Sequence, residues 1–447
     1  MNRKRYAVVG VSNRAFSMYM DPIRGIYKAH AQLVAMLDKD PLRIKSYNET
    51  RKENIPGYSP DEFNKMIKET KPDVIIVACV DNLHHLYVIK ALEHDLDVIV
   101  EKPLTTSEKY CKQLVDAARK STGKIIVTFN ARYIPHATRI REMIVEGKIG
   151  KVVSVDLNWY LDTYHGPNYF RRWNRLREKS GGLTVHKSCH HFDLVQWWIG
   201  QKADEVFAYG ALNFFGPNGQ YNPLSKKQIG DGRTCSDCDR KSLCKYYMRW
   251  SRGDYRKDRK DESHNKHFRG EYKYTNYSCR QCLYDPQINI EDTYTAVIKY
   301  NGGALLSYSL NSSVPYEGFR LGINGTKGRI EFKELHAPSR LPFPEEKDTP
   351  ITYIPMFGGR EQIDVIKQGG THEGSDPLLR DELFIGTDKM VTVERQASFD
   401  DGIDAVLTGI AVYRSVLEHS IIRIDELREV VYGSNPPKMK PAIKVLM

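Results

Sequence analysis

Short apolar runs alternate with amphipathic stretches over the first 129 residues of the chain. Signals for helix starts stand between the runs: Ser59 and Glu62 form a capping box around Pro60, and residues 105–108 form another. This alternation is typical of a parallel sheet covered by helices. The sequence therefore predicts an α/β domain over residues 1–129. Its predicted strands lie near 6–10, 33–38, 73–79, 97–101 and 124–129.

The pattern changes after residue 129, where strands follow one another and are separated by Asn-Gly and Gly-Thr turns. Consecutive strands joined by turns predict a largely antiparallel sheet. We therefore expect an α+β domain over residues 130–447, with an open sheet covered by helices. Its predicted helices lie near 135–146 and 187–199, and its predicted strands near 151–161, 203–214, 292–300, 303–313 and 318–334.

Residues 215–285 interrupt this second domain without any hydrophobic period, so we interpret them as an insertion. Segment 225–285 carries 16 Lys and Arg residues against 9 Asp and Glu residues, which accounts for +7 of the net charge of +11. A charge confined to one region favours a solvated insertion, or attraction of an anionic substrate or cofactor, over a nucleic-acid-binding protein.

Length and composition narrow the class of protein further. A chain of 447 residues exceeds the roughly 250–300 residues at which single cores stop growing, so two domains are expected. No apolar run approaches the roughly 20 residues that a membrane helix requires, which excludes a membrane-spanning protein. The N-terminus passes from a short basic stretch into the first strand, without the apolar region of a signal peptide. We therefore expect a cytoplasmic protein.

A turn that fits a dinucleotide cofactor follows the first predicted strand. Gly10, Ser12 and Ala15 stand where a Rossmann fold has Gly-x-Gly-x-x-Gly/Ala beneath a pyrophosphate, although serine replaces the second glycine. The Ser12 hydroxyl and the Arg14 guanidinium are candidate donors to the phosphates, with Asn13 between them. The spacing predicts a cofactor site at this turn.

Two further positions belong to the same prediction. Asp38 ends the second predicted strand, where a carboxylate accepts from the adenosine ribose and repels a 2′-phosphate, so NAD is favoured over NADP. An ordinary turn acid is the alternative. Lys102 follows the fourth predicted strand at the edge where α/β sheets bind ligands, and a cis bond to Pro103 would fix its direction. A solvated lysine is the alternative there.

Segments 77–84, 91–93 and 100–104, the last containing Glu101-Lys102-Pro103, resemble the glucose-fructose oxidoreductase, inositol dehydrogenase and rhizopine-catabolism (Gfo/Idh/MocA) family. Segments 130–133, 181–193 and 369–372 are also similar to family segments. The resemblance implies an NAD(P)-dependent sugar or cyclitol dehydrogenase that forms homodimers or homotetramers. It also implies a lysine and a later histidine at the reacting hydroxyl. It adds Asp81, His84, Glu101 and Asn130 to the expected cofactor-binding residues.

The family's second motif is Gly-Gly, then an aspartate, a histidine four residues further on, and a second aspartate three residues after the histidine. After Gly181 and Gly182 this chain keeps His190 and Asp193 but has His186 in place of the first aspartate. Spacings of four and three residues put these three side chains on one face if the helix begins early enough. An imidazole in place of a carboxylate departs from the simple dehydrogenase pattern.

Oxidising a secondary alcohol requires a base, and histidine suits this task because its ordinary pKa lies near neutrality. We assign His190 as the base and Lys102 as the cation that stabilises the developing alkoxide. His186 and Lys187 are candidates to orient the substrate or share the proton relay. Packing beneath Trp197 and Trp198 is the alternative role for the histidines at 190 and 191.

Residues 162–166 and 169–173 combine aromatic rings with polar arms, as recognition of a saccharide requires. A plain loop is the alternative. The predicted substrate residues are Tyr164, Arg172, Trp173, Lys187 and Asp193.

Five cysteines cluster in the insertion. Cys235, Cys238, Cys244 and Cys282 are the favoured ligands of a structural zinc ion, since four thiolates make a closed tetrahedral site. Cys279 is the alternate fourth ligand. An iron–sulfur cluster and free thiols are the alternatives.

Three functional hypotheses follow from these residues. The first is an NAD-dependent oxidoreductase that oxidises a hydroxyl of a sugar, glycoside or cyclitol. The second is an enzyme that retains NAD and oxidises a glycoside transiently to assist elimination or hydrolysis, and His186 in place of aspartate favours it. The third is a non-catalytic sugar sensor or nucleic-acid-binding protein, against which Lys102 and His190 argue.

Overall fold

We describe a computed structural model of the chain. It describes residues 3–224, 230, 232–235, 238–247, 281–344, 350–365, 371–386 and 392–433. Within these ranges no helix combines the length and the apolar character needed to cross a bilayer. By its contacts the chain divides into two units. Of the described residues, the first unit contains 3–133, 371–386 and 392–403, and the second contains 134–224, 230, 232–235, 238–247, 281–344, 350–365 and 404–433.

The described part of the first unit contains a six-stranded parallel sheet in the order β3-β2-β1-β4-β5-β6. The central strands β4 and β5 are almost wholly apolar because helices cover both faces of such a sheet. This confirms the predicted α/β half of the fold. The strands are β1 (Lys4–Val9), β2 (Ala31–Leu37), β3 (Gly57–Tyr58), β4 (Val74–Val77), β5 (Asp97–Val100) and β6 (Ile125–Val127).

Helices of the first unit begin where the sequence places caps. Ser59 and Glu62 form the predicted capping box, and Ser107 accepts from the Tyr110 amide at the start of the helix that follows. A π-helical turn, Phe16–Met20, continues the first helix. The α-helices are α1 (Asn13–Ala15), α2 (Asp21–Arg24), α3 (Pro41–Arg51), α4 (Phe63–Thr70), α5 (His84–Leu92), α6 (Glu108–Ala118) and, later in the chain, Ser375–Phe384.

The described part of the second unit contains a nine-stranded sheet in the order β14-β13-β12-β11-β7-β10-β9-β8-β15. Every described pair is antiparallel except β7 with β10, so the predicted, largely antiparallel sheet is confirmed. The strands are β7 (Val152–Asp162), β8 (Ala203–Ala211), β9 (Thr293–Tyr300), β10 (Leu305–Val314), β11 (Glu317–Gly325), β12 (Gly328–His336), β13 (Ile351–Pro355), β14 (Glu361–Ile363) and β15 (Ile422–Arg423).

Strict alternation of buried and exposed residues along β9 shows that the sheet is covered on one side. The helix predicted near 187–199 is α10 (Cys189–Ile199), and a separate short helix precedes it because the chain turns at Lys187 and Ser188. The helices of this unit are α7 (Pro135–Val145), α8 (Arg177–Ser180), α9 (Leu183–His186), α10 (Cys189–Ile199), Ile424–Tyr432 and most of Phe399–Glu418.

Candidate functional site

The predicted cofactor turn joins β1 to α1 and lies against the end of β4. Gly10 has a φ of +91°, and a β-carbon there would come within 2.6 Å of the Cys79 backbone. Only glycine fits both the backbone conformation and this close approach. The first glycine of the motif is therefore required by the packing of two neighbouring strands.

Ser12, which replaces the motif's second glycine, caps the helix that begins at Asn13. Its hydroxyl oxygen accepts from the Ala15 amide at 3.2 Å and donates to the Ala78 carbonyl, also at 3.2 Å. The serine therefore ties the turn to the end of β4. This contact gives the substitution a structural purpose besides the predicted donation to phosphates.

Asp38 directly follows β2 and faces the same turn. One carboxylate oxygen accepts from the Val11 amide at 2.7 Å, and the other accepts from the Asp40 amide at 2.9 Å. Both bonds fix the direction of the carboxylate, which still has acceptor sites for further donors. Asp38 therefore has the turn position that was the alternative, and it also faces the loop between β1 and α1.

Arg14 and Glu101 form a buried ion pair. The Arg14 Nε donates to a Glu101 oxygen at 2.7 Å, and the Tyr19 hydroxyl donates to the same oxygen at 2.7 Å. Burial would raise the pKa of Glu101, but the Arg14 charge and these hydrogen bonds outweigh it and hold that pKa below its ordinary value. Arg14 and Glu101, both predicted to bind the cofactor, therefore bind each other.

Asp376 connects Arg14 to Asn130, another predicted cofactor residue. Its carboxylate accepts from Arg14 Nη1 at 2.9 Å and from the Asn130 amide at 2.9 Å. Asp376 was missed in the sequence, where the only signal was the nearby segment 369–372. Asp376 therefore connects two loops of the first unit that are far apart in the sequence, the turn after β1 and the segment after β6.

The Glu-Lys-Pro corner follows β5, and the Lys102–Pro103 peptide bond is cis. The ring of His84 fixes this corner, because its Nδ1 lies 2.8 Å from the Pro103 carbonyl oxygen and its Nε2 lies 3.2 Å from the Cys79 carbonyl oxygen. His84 is buried, as is Asp81, whereas Lys102 is half-buried. The contacts of His84 assign it to positioning the corner.

The second unit holds the predicted Gly-Gly motif and its histidines. Gly181 and Gly182 both have positive φ and precede α9, which ends at His186. His190 lies on α10 and is half-buried, whereas Asp193 on the same helix is 1% exposed. His186 therefore stands on a different helix from the other two residues, and the expected single face is interrupted.

His186 lies in an aromatic environment. Its Nε2 accepts from the Asn174 side-chain amide at 2.9 Å, and its ring meets Tyr169 and Trp173 edge-on at 5.6 and 5.5 Å. Trp173 is half-buried, so part of its side chain is exposed. The predicted substrate residue and the predicted relay histidine are thus brought together.

His191 is fully buried, with its ring stacked on Trp159 at 3.9 Å and its Nδ1 2.8 Å from the Tyr308 hydroxyl. His191 therefore packs against Trp159 and Tyr308, whereas the alternative considered for it was packing beneath Trp197 and Trp198. The Lys187 ammonium lies 5.2 Å from the centre of the Trp159 ring.

A second buried carboxylate organises the loop after β7. Glu317 lies 2.6 Å from His165 Nδ1 and accepts from Arg340 Nη2 at 2.8 Å. The Nε2 of His165 lies 3.1 Å from the Tyr169 hydroxyl, and the Tyr164 ring lies beneath Arg340. Burial would raise the pKa of Glu317, but the charges of His165 and His336 hold it well below its ordinary value.

Seven half-buried side chains of the second unit include most of the predicted substrate residues. We call this set the substrate wall. The sequence indicated the loop, but Glu317 and Arg340 lie more than 150 residues away and gave no local signal. Arg172, also predicted, is half-buried in the same loop. The substrate wall comprises Tyr164, His165, Tyr169, Arg172, Trp173, His186 and Lys187.

All four favoured cysteines of the insertion line one cavity of the second unit, together with Arg171 and Tyr246. Cys282 is buried and the other three are half-buried. The alternate ligand, Cys279, lies outside the described residues, as does much of the insertion predicted at 215–285.

Comparison with protein families matches both parts of the chain. A model described as the oxidoreductase family, NAD-binding Rossmann fold, matches residues 4–129. A model described as the oxidoreductase family, C-terminal alpha/beta domain, matches residues 141–424. Both are models of the Gfo/Idh/MocA group, so the resemblance stated above is confirmed.

Individual proteins are similar to different extents. “Putative oxidoreductase YteT” of Bacillus subtilis (strain 168) is 46% identical over 428 residues, which are 95% of this chain and 98% of that protein. The 2,7-anhydro-N-acetylneuraminate hydratase of Mediterraneibacter gnavus is 29% identical over 184 residues, covering 40% and 46%. The solved aldose-aldose oxidoreductase of Caulobacter crescentus shares the fold, with a TM-score of 0.62, 16% identity and coverage of 94% and 100%.

Proposed function

Because this chain belongs to the Gfo/Idh/MocA oxidoreductase family, we propose that it oxidises a secondary hydroxyl of a sugar, glycoside or cyclitol with NAD. The observation that carries the proposal is the corner after β5, where His84 holds Pro103 and Lys102 is half-buried. This is the edge of the sheet at which α/β folds bind ligands. The aldose named for the similar solved structure supports a carbohydrate substrate.

The residues present fit a dinucleotide. The turn after β1 is held close to β4 by Gly10, and Asp38 is fixed beside it through the Val11 amide. A carboxylate in that position accepts from ribose hydroxyls and repels a 2′-phosphate, which supports NAD over NADP. When bound, NAD supplies the acceptor for the hydride that the substrate carbon loses.

Two side chains act on the hydroxyl in this proposal. His190 takes the hydroxyl proton, so that the imidazole becomes imidazolium while the alcohol becomes a ketone. Lys102 stabilises the negative charge that develops on the oxygen, an effect of a few kcal/mol where water is excluded. Lys187 and His186 orient the substrate, and the ring of Trp173 provides a face for its apolar side.

The test is the absorbance of reduced nicotinamide, followed with NAD and a panel of sugars, cyclitols and glycosides. We expect turnover with one class, and a decrease in kcat on the order of 10²–10³-fold for Lys102→Ala and for His190→Ala. Matched controls are Lys112→Ala and His94→Ala, since both side chains are exposed. Turnover that neither active-site substitution reduces would refute the assigned roles.

A second candidate function has its own support. The Tyr169 hydroxyl, His165 and Glu317 form a chain of hydrogen bonds suited to moving a proton. Such a group serves elimination or hydration beside a transient ketone, in which NAD is reduced and then oxidised again. The hydratase among the similar proteins supports this candidate. Consumption of a glycoside without net NADH, lost in Tyr169→Phe, would favour it over the first.

We further propose that the chain forms a homodimer or homotetramer through the uncovered side of its second sheet. Tyr209, Val297 and Leu305 are 62%, 56% and 48% exposed, and the strand register puts them on the same face. Exposed apolar side chains grouped on one face are typical of an interface. Light scattering after size exclusion tests this proposal: a Val297→Lys variant should dissociate, and a monomeric wild-type protein would contradict it.

A further inference from the structure

Two segments that are distant in the sequence bring cysteines to one cavity in the second unit. Thr234 and Gln281 form an antiparallel bridge, and the Cys282 amide donates to the Arg233 carbonyl at 2.7 Å. The segments that carry Cys235 and Cys282 are therefore held side by side. The lining of the cavity includes Cys235, Cys238, Cys244 and Cys282.

A backbone amide points at one of these sulfur atoms. The Tyr284 amide donates to Cys282 Sγ at 3.4 Å. A donor aimed at sulfur favours the thiolate, which is the form of cysteine that binds a metal ion.

A positive side chain balances the charge that four thiolates would create. Four thiolates around a divalent ion carry a net charge of −2, which is costly to bury without a counter-charge. Arg171 lines the cavity and is 1% exposed. It is held there by donating from Nη2 to the Tyr246 carbonyl at 2.6 Å. Lys241 also lines the cavity.

The spacing of the sulfur atoms bears on the fit. Among these four described cysteines no three sulfur atoms lie within 4.8 Å of one another. Around zinc the sulfurs stand about 3.8 Å apart, as follows from Zn–S distances of about 2.3 Å. Binding therefore requires the thiols to move inward. The donor set, the shared cavity and the counter-charge fit a thiophilic ion.

We propose that Cys235, Cys238, Cys244 and Cys282 bind one structural zinc ion, which fixes the loop that carries part of the substrate wall. Buried contacts connect the proposed metal site to this loop. Arg171 belongs to the loop, and Arg175 pairs with Asp285 at 3.1 Å, with both side chains at most 1% exposed. Asp285 also accepts from the Gly232 amide, near Cys235.

The first experiment measures metal in the purified full-length chain by inductively coupled plasma mass spectrometry. We expect one zinc ion per chain, lost in both Cys244→Ser and Cys282→Ser. Cys111→Ser is the matched control, because Cys111 is a buried cysteine of the first unit and should leave the zinc in place. Zinc that persists in both variants, or a wild-type protein without metal after growth with added zinc, would overturn the proposal.

A second measurement keeps the proposal testable if the variants fail to fold. Wild-type protein stripped with a chelator is titrated with Co²⁺, and the intense visible bands of tetrahedral cobalt thiolate are expected at one equivalent. Iron with acid-labile sulfide in the untreated protein would instead establish an iron–sulfur cluster and overturn zinc.

The effect on the loop is read by hydrogen exchange, which does not depend on activity. Removing the metal should increase exchange in residues 166–176 at least tenfold and leave β1 and β4 unchanged. Faster exchange at all of these positions would indicate general unfolding and contradict a local role. Unchanged exchange at 166–176 would contradict the proposal that the metal fixes this loop.

Discussion

Each unit contains a buried glutamate that holds a cation, and the two arrangements differ in what that cation is. In the first unit Glu101 binds Arg14, which stays charged at every physiological pH. In the second, Glu317 binds Arg340 and also His165, an imidazole that can exchange its proton. The Glu101–Arg14 pair therefore holds the local structure fixed. The Glu317 arrangement also offers a route for a proton through His165.

The largest effect should follow from breaking the first arrangement. Glu101→Ala leaves the Arg14 guanidinium and the Tyr19 hydroxyl without their shared acceptor, so we expect a loss of about 3 kcal/mol in the free energy of unfolding. Urea denaturation measures it. Lys4→Ala is the control, since the Lys4–Asp97 pair is exposed and is worth less than about 1 kcal/mol. Equal losses in the two variants would contradict the importance of Glu101.

The second prediction concerns acid and Glu317. The pKa of Glu317 is lower in the folded chain than the ordinary 4.5, so below that value the unfolded state binds more protons. The stability that this carboxylate contributes is thus complete above about pH 4.5 and is lost as the pH falls through the depressed folded pKa. The wild type should lose more stability than Glu317→Gln between neutral pH and pH 3. Parallel stability curves would refute this assignment.

The third prediction tests the accessible ring of the substrate wall. Trp173→Ala removes an aromatic face while leaving His190 and Lys102 unchanged, so KM for the substrate found in the panel should rise roughly tenfold, as the loss of about 1.4 kcal/mol implies. The value of kcat should change much less. Trp198, which is fully buried, is unsuitable as a control, so Phe357→Ala, at a fully exposed aromatic between β13 and β14, is used. A loss confined to kcat would indicate a different role.

The smallest effect is expected at the cofactor turn. Ser12→Ala removes a helix cap and should cost about 1 kcal/mol of stability, whereas Ser12→Gly should cost only a few tenths. Thermal unfolding distinguishes them. Titration with NAD should show binding that is unchanged or tighter in Ser12→Gly, because less side chain then lies beside the phosphates. Much weaker binding in both variants would contradict this expectation and show that the hydroxyl itself contacts the cofactor.

Much of the fold and part of the site were predictable from local pattern. The βαβ rhythm, the Gly10 turn and the Glu-Lys-Pro corner each lie within a few residues, so their chemistry could be recognised without a structure. The predicted metal ligands came from spacing alone, and their shared cavity is a finding of the structure. A common face for His186, His190 and Asp193 required a helix that begins before His186, but the chain turns at Lys187 and separates His186 from His190.

The sequence by itself determined which segments become strands and helices, because the hydrophobic period and the caps act over a few residues. It also showed the lysine and the histidines to which we assign the proposed chemistry. Only the tertiary structure decided which of them meet: Arg14 and Asp376 are 362 residues apart, and His165 and Glu317 are 152 residues apart. A buried charge must find a partner wherever the fold supplies one, and no local pattern records which distant residue that will be.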